Sequence, residues 1–155
     1  MGRRPPPQRR VSGDGQPPIS LILDTSAVLA FAAGSMHVHE PVILAGEAGD
    51  QTGVPLACLL EAVRRDPRAD LHELLHHLRI VLVMPDPVDE DLLLDWTLYY
   101  DGREDRAAAA VASYRRGHCA VLTAEPDLYA IGGRRPDWVI PIDGTTPPDR
   151  WDVTN

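Results

Sequence analysis

The chain has 155 residues, 44% of them apolar, and sets 15 basic against 23 acidic side chains for a net charge of -8; every basic residue is Arg. This length and apolar share suit one domain with a real core, which excludes disorder of the whole chain. The acidic balance excludes a general electrostatic grip on nucleic acid. Two cysteines, Cys58 and Cys119, sit in apolar segments and suggest no disulfide framework, so a reducing cytoplasm is the expected compartment.

Residues 1–18 hold five prolines, four Arg and one Asp, a charge of +3, and read as a disordered basic tail. The domain is expected over residues 19–143, and 144–155, again polar and Pro-containing, as a flexible C-terminal tail. Arg pairs ahead of the apolar stretch 19–33 have the outline of a secretory signal, but Asp24 interrupts that stretch and five prolines intervene. No apolar run reaches the roughly 18 residues that a membrane-spanning helix needs.

Ile19–Leu23 (ISLIL) reads as a buried parallel strand. Asp24, Thr25 and Ser26 then offer N-cap chemistry for a helix over 27–33. Pro41 is placed in the first turn of a helix running to about Gly49. A very short strand over 53–55 precedes a helix over Leu56–Arg65. Residues 68–79 form a helix whose leucines at 71, 74, 75 and 78 make one apolar stripe. The clearest strand is 80–84 (IVLVM), followed by a helix over 88–100. An Ala-rich helix over 105–116 ends at Gly117, and strands follow at 119–123 and 138–142, the last marked as an edge by Pro141. Strands alternating with helices imply an α/β fold, with a mainly parallel sheet covered on both faces and ligands gathered at the carboxyl ends of its strands.

Several acids stand at those ends. Asp24 directly follows the first strand, and Glu125 follows the strand at 119–123 by two residues. Glu61 lies in an otherwise apolar helical segment, where a carboxylate is costly to bury without a positive partner. Glu104 and Asp105 open the Ala-rich helix. Carboxylates converging on one crevice repel one another, and hard divalent cations such as Mg²⁺ or Mn²⁺ relieve that repulsion. Each acid also has a structural reading: Asp24 as a helix cap, Glu104 and Asp105 as favourable charge at a helix N-terminus, Glu125 as part of a turn before Pro126.

LILDTSAVLAF (21–31) resembles the opening of PIN domains, the nuclease fold of VapC-like toxins. VPLACLLEAVR (54–64) resembles their second motif, with its acid at Glu61, and DRAAAAVASYRRGHCAVLTAEPDLY (105–129) their C-terminal helix-strand unit. The likeness covers about residues 19–143. It implies a three-layer α/β/α sandwich and metal-dependent cleavage of RNA, with Asp24, Glu61 and Asp105 holding Mg²⁺ or Mn²⁺. Glu125 would complete the catalytic acids and Ser26 would support Asp24. A small antitoxin protein as partner and a homodimer would go with a toxin. Counting back from Gly117 or Thr123, the family's third acid falls nearer Arg106 or Ala107 than Asp105, and Glu125 stands where an Asp is usual. A catalytically degenerate, binding-only relative is the alternative. Among the basic residues, Arg64 and Arg106 are the candidates for contacting a phosphate, with Arg65 and Arg103 close by.

A competing pattern is His72-Glu73-Leu74-Leu75-His76, the H-E-x-x-H arrangement of zinc metalloproteases. One helical turn separates its two histidines, and Glu73 would be the general base. Its third ligand would have to be His118, the sole downstream His outside that helix.

Overall fold

A computed structural model describes residues 15–142. The basic tail expected over 1–18 falls mostly outside the described residues, and the C-terminal tail over 144–155 entirely so.

In chain order the elements are β1 (Ile19–Leu23), α1 (Thr25–Ala32), α2 (Met36–Glu47), β2 (Gln51–Pro55), α3 (Leu56–Arg65), α4 (His72–Leu75), β3 (Ile80–Val83), α5 (Glu90–Tyr99), α6 (Glu104–Tyr114), β4 (Ala120–Thr123) and β5 (Val139–Pro141). Single 3-10 turns lie at Pro87–Asp89 and Pro126–Tyr129. All five strands are parallel, in the order β3-β2-β1-β4-β5. The chain thus winds outward from β1 through β2 to β3, then crosses back to place β4 on the other side of β1. That reversal puts the topological switch point between the carboxyl ends of β1 and β4, where open α/β sheets form their crevice.

Period-two alternation sends Leu21 and Leu23 of β1 to one face of the sheet and Ile22 to the other. The same split recurs at Leu122 against Val121 and at Ile140 against Val139. At the centre of the sheet both faces are buried, so β1 and β4 read as mainly apolar runs, while the edge strand β3 leaves Leu82 43% exposed. One core joins the sheet to Val28, Phe31, Val38 and Val42 of α1 and α2; the other joins it to the Ala-rich face of α6, to Tyr100 and to Tyr129. The fold is a three-layer α/β/α sandwich. Small side chains at Ala107, Ala109 and Ala110, all fully buried, bring α6 close to the sheet. Among the described residues no single helix is long and apolar enough to cross a membrane.

Gly53 is needed for packing in the middle of β2. A Cβ there would meet Val83 Cγ2 at 2.8 Å and side-chain carbons of Ile19 and Ile22 at 3.1 Å. Gly117, with φ at 67°, turns the chain just after α6, and the next two residues close on Ser113, whose carbonyl accepts from His118 N and whose hydroxyl donates to the Cys119 carbonyl.

Several element boundaries differ from the sequence reading. Helix α2 begins at Met36, so Pro41 lies inside it rather than in its first turn. Val38, Pro41 and Val42 form the buried stripe, and that burial outweighs the backbone hydrogen bond that Pro41 cannot make. The helix expected over 68–79 shrinks to the single turn of α4: Leu74 is buried and Leu71 packs on the same core, but Leu75 is 55% and Leu78 92% exposed, so only the first half of the leucine stripe faces a core. The 88–100 helix starts as a 3-10 turn, and none of the residues of α5 is fully buried.

Candidate functional site

Asp24 leaves the carboxyl end of β1 and caps α1. Its Oδ1 accepts from Ala27 N at 3.0 Å and from Ser26 Oγ at 2.7 Å, while Oδ2 accepts from the Tyr129 hydroxyl at 2.8 Å. Ser26 Oγ in turn accepts from Ala124 N at 2.8 Å, which ties α1 to the chain leaving β4. Burial raises the Asp24 pKa; the hydrogen bonds from Thr123, Ser26, Ala27 and Tyr129 offset that only in part.

Asp105, in the first turn of α6, is brought to the same place by an unlike neighbour. Thr25 Oγ1 donates to its Oδ2 at 2.6 Å, and Arg103 grips both oxygens, Nε to Oδ1 and Nη2 to Oδ2, each at 3.1 Å. Burial works to raise this carboxyl too, but the bonds from Arg103 and Thr25 and the Arg103 charge together lower its pKa. Beneath it, Cys58 Sγ of α3 donates to the Asp105 carbonyl at 3.2 Å.

Glu61 occupies the crevice flank of α3, not an apolar interior: Leu60 beside it is 59% exposed while Ala62 is fully buried. Its carboxylate takes hydrogen bonds from Arg64 and from Arg65 Nε, the latter at 3.2 Å. The bonds from Arg64, ahead of an opposing effect of burial, lower its pKa. Glu125 completes the rim. Its Oε1 lies 3.7 Å from Arg65 Nη1 and its Oε2 3.5 Å from Arg106 Nη2.

Arg65 therefore sits among three of the four acids: besides Glu61 and Glu125, its Nη2 is 4.0 Å from Asp105 Oδ2. Three of the four acids named from the sequence, Glu61, Asp105 and Glu125, come together around Arg65, while Asp24 is joined to them only through the adjacent Thr25, which donates to Asp105. Those three meet four guanidinium groups, of Arg64, Arg65, Arg103 and Arg106. Arg106 is held inward, with its guanidinium carbon 5.9 Å from the Tyr129 ring centre and 6.0 Å from that of Tyr100. Arg64 has a side chain 74% exposed and faces outward.

No protein-family model matches the chain, and no curated protein or solved structure matches it either.

Three contributors escaped the sequence reading as members of this site: Thr25, Thr123 and Tyr129. Thr25 lies within the Asp-Thr-Ser cap, where only a fold placing α6 alongside α1 gives its hydroxyl a partner. Tyr129 ends the 3-10 turn Pro126–Tyr129, and its hydroxyl looked no different from that of any core tyrosine. Glu104 is exposed and stays outside the cluster.

Carboxylate oxygens are the donors that Mg²⁺ and Mn²⁺ prefer. In kind, Asp24, Glu61, Asp105 and Glu125 fit such an ion, and the Arg65 guanidinium is a stand-in cation between three of them. In their present positions, no three His, Cys, Asp or Glu side chains among the described residues are grouped to hold a metal. That applies also to the histidines of the H-E-x-x-H pattern. The His72 and His76 rings lie 4.2 Å apart, but the His76 Nδ1 is against the His72 carbonyl at 2.9 Å. Two open grooves, lined by Pro55, Met84 and Arg115 and by Leu44, Cys119 and Trp138, lie away from the four acids.

Proposed function

We propose that this crevice hydrolyses RNA phosphodiester bonds with the help of Mg²⁺ or Mn²⁺, as the PIN-like sequence pattern suggests. The observation that carries the reading is the meeting of Glu61, Asp105 and Glu125 on one guanidinium, with Asp24 one residue from the Thr25 that binds Asp105. A bound divalent ion would supply an activated water and steady the charge that develops on the phosphodiester.

The chain's own residues have separable parts in this reading. Asp24, Glu61 and Asp105 hold the ion. Ser26 and Tyr129 fix the Asp24 carboxylate on both of its oxygens. Thr25 and Arg103 do the same for Asp105. Glu125 forms the outer rim. Arg64, the most exposed of the arginines though paired with Glu61, would meet a substrate phosphate, whereas Arg106 is engaged with two tyrosine rings and Glu125. A toxin role, with an antitoxin partner and a homodimeric assembly, belongs to the same proposal.

A second reading has its own support. Equal numbers of carboxylates and guanidinium groups leave no excess negative charge to retain an ion, and Arg106 stands near the place where the family pattern puts an acid. On that reading the domain binds without cutting. A cleavage assay on labelled single-stranded RNA, with Mn²⁺ and then with excess chelator, separates the two. Metal-dependent cleavage supports the nuclease; no cleavage under either condition by folded protein supports the binding domain.

A further inference from the structure

We infer that the segment 3–10 of this chain (RRPPPQRR) docks in the open groove at the amino ends of β1, β4 and β5, with its arginines on Asp50 and Asp137. The inference is independent of the nuclease reading and concerns the opposite end of the sheet.

The groove has a volume of about 820 Å³ and lies between α2 and the strands. Leu21 of β1, Leu44 of α2, Ile140 of β5 and Trp138 just before it give the groove an apolar floor. Leu44 stays 39% exposed there. Asp50 and Asp137 belong to the same lining, and neither has an ion pair among the described residues. The acids of the crevice differ on that point, since Glu61, Asp105 and Glu125 are already paired with Arg65.

The described chain starts at Gly15, and Ser20 and Leu21, soon after it, line the groove. Residues 1–14 reach about 46–50 Å when extended, ample to fold back over it. Gly15 has φ at 85° with open space around it, and it follows Ser12, Gly13 and Asp14, residue types that favour turns. Charge agrees with that path: residues 1–14 carry four Arg against one Asp, and the rest of the chain 11 Arg against 22 acids. Pro5, Pro6 and Pro7 have φ fixed by their rings, so seating them costs little further ordering. Pro-rich segments dock in aromatic-lined grooves, and Trp138, stacked on His118 with ring centres 6.0 Å apart, supplies that wall here. A flanking guanidinium offers each carboxylate a forked, charge-assisted partner. Tethering sets the local concentration of the segment on the order of millimolar, so weak contacts suffice.

The test is paramagnetic broadening in the full chain, with a spin label on Gln8→Cys and Cys119→Ser to remove the thiol in the groove; Cys58 is fully buried and stays unlabelled. Cys119→Ala replaces Cys119→Ser if the latter does not fold. The amide signals of Leu44, Asp50 and Trp138 should lose most of their intensity. That of Leu94 on α5, which lies over the other face of the sheet, should keep it. Adding Asp50→Asn and Asp137→Asn should return intensity to the groove signals. Full intensity at the groove, equal loss at Leu94, or unchanged loss in the double Asn variant overturns the inference. Equal broadening of isotope-enriched, unlabelled chains by added spin-labelled chains would assign the groove to the segment of a second copy and also overturn it.

Discussion

Thr25 donates a 2.6 Å hydrogen bond to Asp105, joining the start of α1 to the start of α6 across 80 positions of sequence. Both groups are buried, so the bond has no competing water. Thr25→Val keeps the shape of the side chain but leaves the carboxylate short of a donor. A hydrogen bond to a charged group contributes about 1.5–3 kcal/mol, and chemical denaturation of the variant should show a loss in that range. A loss below about 0.5 kcal/mol would mean that Arg103 alone holds Asp105.

Gly53 tests the packing of the central strands in the same way. Adding a methyl group there forces Val83, Ile19 and Ile22 apart. Gly53→Ala should destabilise the domain by about 1–3 kcal/mol, as overpacking of a filled core does. A stability equal to the parent would show that β3 and β2 lie further apart than the contact distances imply.

The acid limb of stability carries opposite contributions from two aspartates. The Asp105 pKa is lowered below 3.8, so its contribution is complete above that pH and disappears as pH falls through the lowered value. For Asp24, burial raises the pKa above 3.8, so its contribution falls as pH rises from 3.8 through the raised value. Thermal melts between about pH 3 and 6 should therefore show a shallower acid-side loss in Asp105→Asn and a weaker decline above 3.8 in Asp24→Asn. Removing the Tyr129 hydroxyl takes away one of the bonds that oppose burial, so Tyr129→Phe should raise the Asp24 pKa further, as read by carboxyl NMR titration.

The sheet and its covering helices were legible because strands buried on both faces leave apolar runs that no solvent-facing pattern interrupts. ISLIL shows this directly, whereas IVLVM belongs to the edge strand β3, where Leu82 is 43% exposed, and was legible by its apolar composition alone. The helix around Leu71–Leu78 was misjudged because leucine spacing specifies a face but not what it packs against: after Leu74 the chain turns toward β3, and Leu78 is left 92% exposed. At the site, the acids were readable from their places at strand ends and in a polar interruption of α3. Their pairing was not, because a guanidinium reaches several partners and only the fold decides which. Arg65 follows Glu61 by one helical turn, yet its contacts with Asp105 and Glu125 exist only because β4 and α6 lie next to β1 and α3.

Asp24→Asn offers the cleanest change of chemistry at little cost in structure. Asn is as good an N-cap as Asp, so Oδ1 can still accept from Ala27 and Ser26, and the Tyr129 hydroxyl can rotate to accept from the new amide. Its stability at neutral pH should stay within about 1 kcal/mol of the parent. A larger loss, measured by denaturation, would show that the negative charge itself is required by the fold.

The central claim is that the four acids act together on RNA through a divalent ion. Cleavage of labelled RNA by the parent and by folded Asp24→Asn, each with Mn²⁺ and with chelator, tests it most directly. The account predicts cleavage by the parent with Mn²⁺ alone and none by Asp24→Asn under either condition. Equal cleavage by both proteins, or cleavage by the parent that persists in chelator, would contradict it.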